Sequence, residues 1–248
     1  MIRIRHLERA PITEALIDFR VSVSKQLDAA TFLEFKEFLG DRYPKVEERR
    51  GAQAAIEFGP GKPLAAHTKD LGLQGFFFRS GDGLNIAQFR VDGFTFNRLK
   101  PYTRWEEIFP EALRLWKLFI EKVTPEYVSR LALRYINHLN IPLPIEDFAQ
   151  YLTLPPVVPP ELPQHVSSFL TRVVLHESES GLAANVTQAL EQGLDPKSVT
   201  IILDIDAYKT GEFDPHGAEV AEVLEALHGF KNRIFFGSLT EAALRLYE

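Results

Sequence analysis

Two aspartates, Asp204 and Asp206, are the residues whose type and spacing most favour chemistry in this chain. They stand two apart in the apolar stretch 199-VTIILDIDAY-208, and side chains two apart on a strand project from the same face. Such a pair of carboxylates could hold a divalent cation or divide the roles of acid and base. The sequence offers no following cluster that would complete a coordination sphere.

Arginines in neighbouring strand-like segments give these carboxylates a second interpretation. Arg20, Arg90, Arg130 and Arg134 all lie in segments that alternate like strands. A buried charge is costly unless it is paired, and an arginine fork satisfies a carboxylate well. We therefore favour an ion-pair lattice over a metal site. The candidates for this lattice, or for an open ligand pocket, are Asp18, Arg20, Arg90, Arg134, Asn137, His138, Asp204 and Asp206.

No catalytic residue and no metal ligand is assigned from motifs, and no cofactor is implied. The histidines lack HExxH spacing, there is no GxSxG turn, and 59-GPGKP-63 is too short for a phosphate loop. His138 could serve as a general base, but a lone histidine near a strand end is more often a hydrogen-bonded structural residue.

Composition limits the classes of partner. The formal net charge is −6, and the chain has no cysteine, so neither phosphate neutralisation nor a disulfide scaffold is expected. Composition therefore argues against nucleic-acid binding, although the run Phe76–Phe78 could stack bases. The opening MIRIRHLERA carries charges where a signal peptide needs an apolar run, and no stretch approaches a membrane span. We expect a cytoplasmic protein.

The first half of the chain alternates strand and helix patterns. Residues 14–23 (EALIDFRVSV) have a period of two, and Phe32, Phe35, Phe38 and Leu39 recur at helical spacing after a capping residue, Asp28. Further strands are predicted at 46–58, 64–79, 83–91 and 93–98, and a long helix at 102–123.

The second half repeats this order. Strands are predicted at 127–140, 166–177, 181–189 and 199–208, with a short helix at 145–152 and one long helix at 217–247. The predicted fold is α+β: two tandem β-α-β(3-4)-α units, 1–124 and 125–248. They form a continuous, mostly antiparallel sheet with the helices on one side, in a helix-grip or saddle-like arrangement packed as one body.

Four phrases together resemble a known family. They are API-x-EALIDFRV at Ala10–Val21, Tyr102-x-x-Trp105-Glu106, RLALRYINHLNIP at Arg130–Pro142, and LDIDAY at Leu203–Tyr208. The chain is similar over its length to a sporadically distributed prokaryotic family that carries no established reaction. That patchy distribution implies an accessory locus, such as phage defence or toxin–antitoxin, which is an inference by analogy.

Three functional hypotheses follow. The first is a non-enzymatic interaction protein that uses a sheet face or edge to bind another protein, encoded nearby, or further copies of itself in a homo-oligomer. The second is a small-molecule sensor or an enzyme with a charged Arg/Asp pocket. The third is nucleic-acid binding. The absence of catalytic motifs favours the first.

Overall fold

The computed structural model describes residues 3–24, 29–57, 65–192 and 197–248. Up to residue 124 it contains β1 (Ile12–Ser22), α1 (Ala29–Leu39), β2 (Lys45–Glu57), β3 (Ala65–Arg79), β4 (Asn85–Arg90), β5 (Gly93–Leu99) and α2 (Trp105–Val123). The remainder contains β6 (Tyr127–Pro142), β7 (Leu170–Glu177), β8 (Leu182–Gln192), β9 (Ser198–Phe213), α3 (Glu219–Ser238) and α4 (Glu241–Arg245).

The nine strands form one open sheet in the order β2-β3-β4-β5-β1-β6-β9-β8-β7. Every pairing between neighbours is antiparallel. The predicted α+β class with an antiparallel sheet is thereby confirmed. Strands β1 and β6 lie side by side in the middle, and β7 forms one edge.

One face of the sheet is apolar because alternate strand residues point to it. Ala15, Ile17 and Phe19 of β1 are all buried. The Trp116 ring of α2 stacks on Phe19 with 4.4 Å between ring centroids, and the Phe35 ring of α1 stacks on Phe89 of β4 at 4.1 Å. These contacts fall on the same face, so α1 and α2 pack there over one continuous core.

A close approach between β1 and β5 depends on glycine. Gly93 has φ +149°, and a Cβ built on it would lie 1.9 Å from the carbonyl oxygen of Phe19. Only glycine fits this contact. The contact holds Thr95, two residues further along β5, directly opposite Asp18.

Two helix predictions are wrong. The segment 145–152 contains only a single 3₁₀ turn at Phe148–Gln150. The long C-terminal helix is divided, because Leu239 is extended and forms an isolated bridge to Leu152, after which the Thr240 hydroxyl accepts a hydrogen bond from the Ala243 amide and begins α4.

One apolar residue of the predicted first helix lies outside the core. Phe38 is 56% exposed, and its ring lies 4.4 Å from the Lys122 ammonium instead of in the core. The predicted capping residue Asp28 lies outside the described residues. In the ranges that the structure describes, no helix is long and apolar enough to cross a bilayer.

Candidate functional site

A cavity of about 330 Å³ lies on the helix-covered side of the sheet. Its walls come from the N-terminal segment 4–10, the first residue of β1, residues 102–106 at the start of α2, the middle of β6 and the inward face of α3. The residues that define it here are Leu7, Ile12, Trp105, Tyr135, Lys231 and Phe235. Segments far apart in sequence therefore build one mostly apolar pocket.

Lys231 is the unusual residue of this cavity. Its side chain belongs to the inward stripe of α3 and the residue is 6% exposed. The Nζ atom lies 3.7 Å from the centroid of the Tyr135 ring and donates a hydrogen bond of 2.6 Å to Asn232 Oδ1. Among the described residues, no carboxylate oxygen lies within the 4.0 Å of an ion pair with this amine. A buried ammonium thus borders the cavity without a counter-charge.

Burial changes the ionisation of this lysine. Removal from water disfavours the charged form and lowers the pKa of Lys231 from 10.5 to about 7. The amine therefore exchanges between charged and neutral forms near neutral pH, unlike a lysine at the surface.

Two tyrosines form a hydrogen-bonded pair beside the lysine. The hydroxyls of Tyr102 and Tyr135 lie 3.2 Å apart. Burial raises the pKa of Tyr102 to about 12 and, with the neighbouring Tyr102, raises the pKa of Tyr135 well above 10.0. Both phenols are protonated at neutral pH, and since their mutual bond uses one proton, the other remains to be donated.

A stacked pair of rings also lines the cavity. The ring of His228 lies on Trp105 with 4.5 Å between centroids and 10° between planes. Burial, and then the nearby Lys231, lower the pKa of His228 to about 3, so this imidazole is neutral at physiological pH. The Trp105 indole donates to Glu225 Oε1 at 2.9 Å, which fixes the orientation of the wall.

The N-terminal segment covers the cavity and is fastened by ion pairs to the end of the chain. Arg5 pairs with Glu241 and Glu248, each at 2.8 Å, and the Arg9 guanidinium donates to the Glu248 carbonyl at 2.7 Å. Leu7, in the same segment, is buried and lines the cavity. The wall over the cavity is thus held by surface charges on one side and an apolar anchor on the other.

The predicted charged residues lie on the opposite face of the sheet. Asp18 accepts hydrogen bonds from Arg90 Nη1 at 2.8 Å and from the Thr95 hydroxyl at 2.6 Å. Arg20 and Arg130 approach the second carboxylate oxygen at 3.3 and 3.5 Å. Burial alone would raise the pKa of Asp18, but Arg90, Thr95 and Arg20 outweigh it and lower that pKa below 3.8.

The two aspartates of β9 are each matched to an arginine of β6. Arg134 holds Asp204 through Nε at 2.9 Å and Nη2 at 2.6 Å. Arg130 Nη2 contacts both oxygens of Asp206 at 2.8 and 2.9 Å. The structure therefore brings together Asp18, Arg20, Arg90, Arg130 and Arg134 with these aspartates. Within the described ranges, no group of three metal-binding side chains occurs.

Asn137 and His138 are not part of this network. Asn137 is buried on the helix side, where it lines the cavity and donates to the Leu203 carbonyl at 2.9 Å. His138, one residue further on, points to the other face and lines a broad cleft with Asn140 and Thr200. The alternation of β6 separates two residues that the sequence places side by side.

No protein-family model and no curated protein matches the chain. The resemblance drawn from the four sequence phrases therefore stays a prediction.

The phrases that carry the resemblance converge on the cavity. Ala10 and Ile12 come from the first phrase, Trp105 from the second, and Tyr135 and Asn137 from the third. Leu203, which accepts the Asn137 hydrogen bond, begins the fourth. No local sequence pattern connects these phrases to one site, because they are far apart in the chain and meet only in the folded protein.

Lys231 was missed, although the sequence contains a signal for it. Leu224, Leu227, Lys231, Ile234 and Phe235 recur at helical spacing, so the lysine occupies a position on the apolar stripe of α3. A charged residue within such a stripe indicates either a snorkelling side chain or a buried functional amine.

Proposed function

We propose that this protein binds a small molecule in the Lys231 cavity. The observation that carries the proposal is the Lys231 ammonium, buried at the cavity wall with no carboxylate partner among the described residues. Ligand pockets are concave and mostly apolar, with a few convergent polar groups and shifted pKa values. The cavity has each of these features, and its volume is at the small end of the range for ligand pockets.

The position of the cavity supports the same proposal. Tyr102 and Trp105 belong to the first half of the chain, while Tyr135 and Lys231 belong to the second. We further infer that 1–124 and 125–248 are tandem units, since β1 lies beside β5 and β6 lies beside β9 in the strand order. Ligands bind preferentially where two units meet.

The energetic cost of the site is a second line of support. An amine in the core destabilises the folded state unless it is paired, and a methionine would fill the same space without that cost. Local features that lower stability are typical of functional sites. Lys231 is such a feature, whereas the charged face has partners for its carboxylates.

The proposal can be tested through tryptophan fluorescence, because the chain has only two tryptophans. Trp105 lines the cavity, and Trp116 packs on Phe19 in the core. In a Trp116→Phe variant, the emission reports on the cavity alone. We expect members of a library of small aromatic and aliphatic compounds, neutral, anionic and cationic, to change that emission saturably.

A filled cavity provides the control. Ala10 lines the pocket, and Ala10→Phe in the Trp116→Phe background should remove the response while the far-UV circular dichroism stays unchanged. A library without any saturable response, or an equal response from the filled variant, would contradict small-molecule binding.

A second candidate function is protein interaction through the sheet edge. Among the strands that the structure describes, β7 pairs only with β8, and all its residues except Glu177 are exposed. Four of them are large and apolar, namely Leu170, Val173, Val174 and Leu175. Long apolar edges template pairing with another strand. We propose a second copy of this chain as the occupant, rather than a partner from an accessory locus.

The register of β7 favours a second copy. In a two-fold antiparallel pair with Val174 opposite its own copy, Val173 meets Leu175, and Thr171 meets Glu177. Val173 and Leu175 lie on the helix side, opposite Val186 and Ala184 of β8. The pairing therefore joins four apolar side chains into one cluster across the two edges.

Light scattering coupled to size-exclusion chromatography tests this edge. We expect a dimer for the wild type and a monomer for Val173→Lys, because a lysine at a strand edge opposes pairing. Val157→Lys is the matched control, since Val157 is 87% exposed in the proline-rich segment before β7. A monomeric wild type, or a dimer that survives Val173→Lys, would exclude the second copy as occupant.

A further inference from the structure

The charged groups around the cavity differ in whether they have a partner of opposite charge. Arg5 and His6 face it from the N-terminal segment, Arg104 and Glu106 from the start of α2, and His228 with Lys231 from α3. Arg5 is neutralised by Glu241 and Glu248, and Arg104 by Glu107 at 3.3 Å. His228 is neutral, and Tyr102 and Tyr135 are protonated. Of the described cations at the cavity, Lys231 is the buried one that has no acidic partner.

The remaining wall is suited to a hydrocarbon body. Trp105, Tyr135, Phe235 and Phe236 present aromatic surface, and Leu7 and Ile12 add aliphatic surface. Burial of such surface favours binding of an apolar group. The ligand body must therefore be aromatic or branched and apolar, with its polar group at one end.

We propose that the ligand is a small organic monocarboxylate whose carboxylate pairs with Lys231 and whose apolar body lies between Trp105, Phe235 and Phe236. The inference rests on the proposed function and names its ligand class. A carboxylate supplies the counter-charge that the buried ammonium lacks. The free proton of the Tyr102–Tyr135 pair is a second donor for the ligand.

Binding of an anion here must depend on pH. A bound carboxylate favours charged Lys231 and raises its pKa above about 7. Above that pH the free protein must take up a proton to bind, so affinity should fall by about tenfold for each pH unit. A neutral ligand of the same shape has no such dependence.

Matched pairs of acid and amide test the ligand class by calorimetric titration. Suitable probes are phenylacetate with phenylacetamide, 3-phenylpropionate with its amide, and 4-methylpentanoate with 4-methylpentanamide. At pH 6.5 at least one carboxylate should bind the wild type about tenfold or more tightly than its amide, as expected for a charge-assisted hydrogen bond. That preference should decline as the pH rises to 8.5.

Substitution of the lysine separates its charge from the cavity. Lys231→Met should lose the preference for the acid and retain binding of the amide. Lys231→Gln, which keeps a neutral polar side chain at this position, should behave in the same way. Lys117→Met is the matched control, because Lys117 lies on the exposed side of α2; it should bind like the wild type.

The outcomes distinguish this inference from the proposed function. Equal affinity for acid and amide in the wild type, or an unchanged acid preference in Lys231→Met, would overturn the carboxylate while small-molecule binding stands. If only neutral or cationic compounds change Trp105 emission, the carboxylate is also overturned while small-molecule binding stands. If no compound binds in either experiment, both proposals fail.

Discussion

Replacing Lys231 by methionine should stabilise the folded protein by about 3 kcal/mol at pH 7, at about 1.4 kcal/mol for each unit of pKa shift with allowance for relaxation around the amine. The pKa of this lysine falls from 10.5 to about 7 on folding, because the amine is buried. Most single substitutions destabilise a protein, so a gain of this size would be informative.

The gain in stability from Lys231→Met should depend on pH. Between pH 7 and 10.5 the unfolded chain binds the Lys231 proton while the folded chain has released it, so wild-type stability rises with pH across that window. Below pH 7 the full cost of the buried charge is present. The advantage of Lys231→Met over the wild type should therefore shrink as the pH rises from 7 towards 10.

Urea unfolding of both proteins at pH 6, 8 and 10 measures the effect. Lys117→Met, on the exposed side of α2, should change the free energy of unfolding by less than about 0.5 kcal/mol at each pH. If Lys231→Met is less stable than the wild type at every pH, the amine makes a favourable contact in the core and is not a strained ligand-binding group.

Replacing Asp18 by alanine should destabilise the protein by about 3–5 kcal/mol, because it leaves a buried guanidinium without its main partner. The Arg90 side chain is 5% exposed, and it pairs with Asp18 at 2.8 Å and with Asp92 at 2.9 Å. Its Nη2 atom is already buried without a hydrogen-bond partner among the described residues. Loss of Asp18 would leave Arg90 with Asp92, which is itself half exposed.

The matched control is Asp204→Ala. Its partner Arg134 has a side chain that is 47% exposed, so water can solvate the arginine and the loss should be about 1 kcal/mol. Urea unfolding at pH 7 compares the two variants. An equal cost for both would show that the buried lattice around Asp18 is no more important than the exposed fork on β9.

Asp18 also gives the fold an acid sensitivity. Because its pKa is lowered in the folded state, the stability that it contributes is present above about pH 4 and is lost as the pH falls through the lowered pKa. The Asp18→Ala variant lacks this component, so its free energy of unfolding should depend less on pH in that range.

Strand positions could be predicted well from the sequence because one face of each central strand is buried. The alternation in EALIDFRVSV predicts a strand at 14–23, and β1 spans Ile12–Ser22. The ends of the helices were harder to predict from the sequence. Apolar spacing continues through Leu239 into α4, and the break there comes from the bridge to Leu152, a tertiary contact that no local pattern contains.

The site was harder to predict than the fold. The residues of the charged face could be named individually, but their pairing depends on strand register, which places Asp206 opposite Arg134 while its ion pair is with Arg130. The cavity depends on four segments brought together by folding. A lysine in an amphipathic helix is normally solvated, so Lys231 could be found only by noticing its place on the apolar stripe.

A crystal structure of the protein with the tightest-binding carboxylate at pH 6.5 would test ligand binding in the cavity most directly. We predict density for the ligand between the N-terminal segment and α3, with a carboxylate oxygen within hydrogen-bonding distance of Lys231 Nζ and the apolar body against Trp105. A ligand bound instead on the Arg134–Asp204 face, with only water beside Lys231, would contradict it.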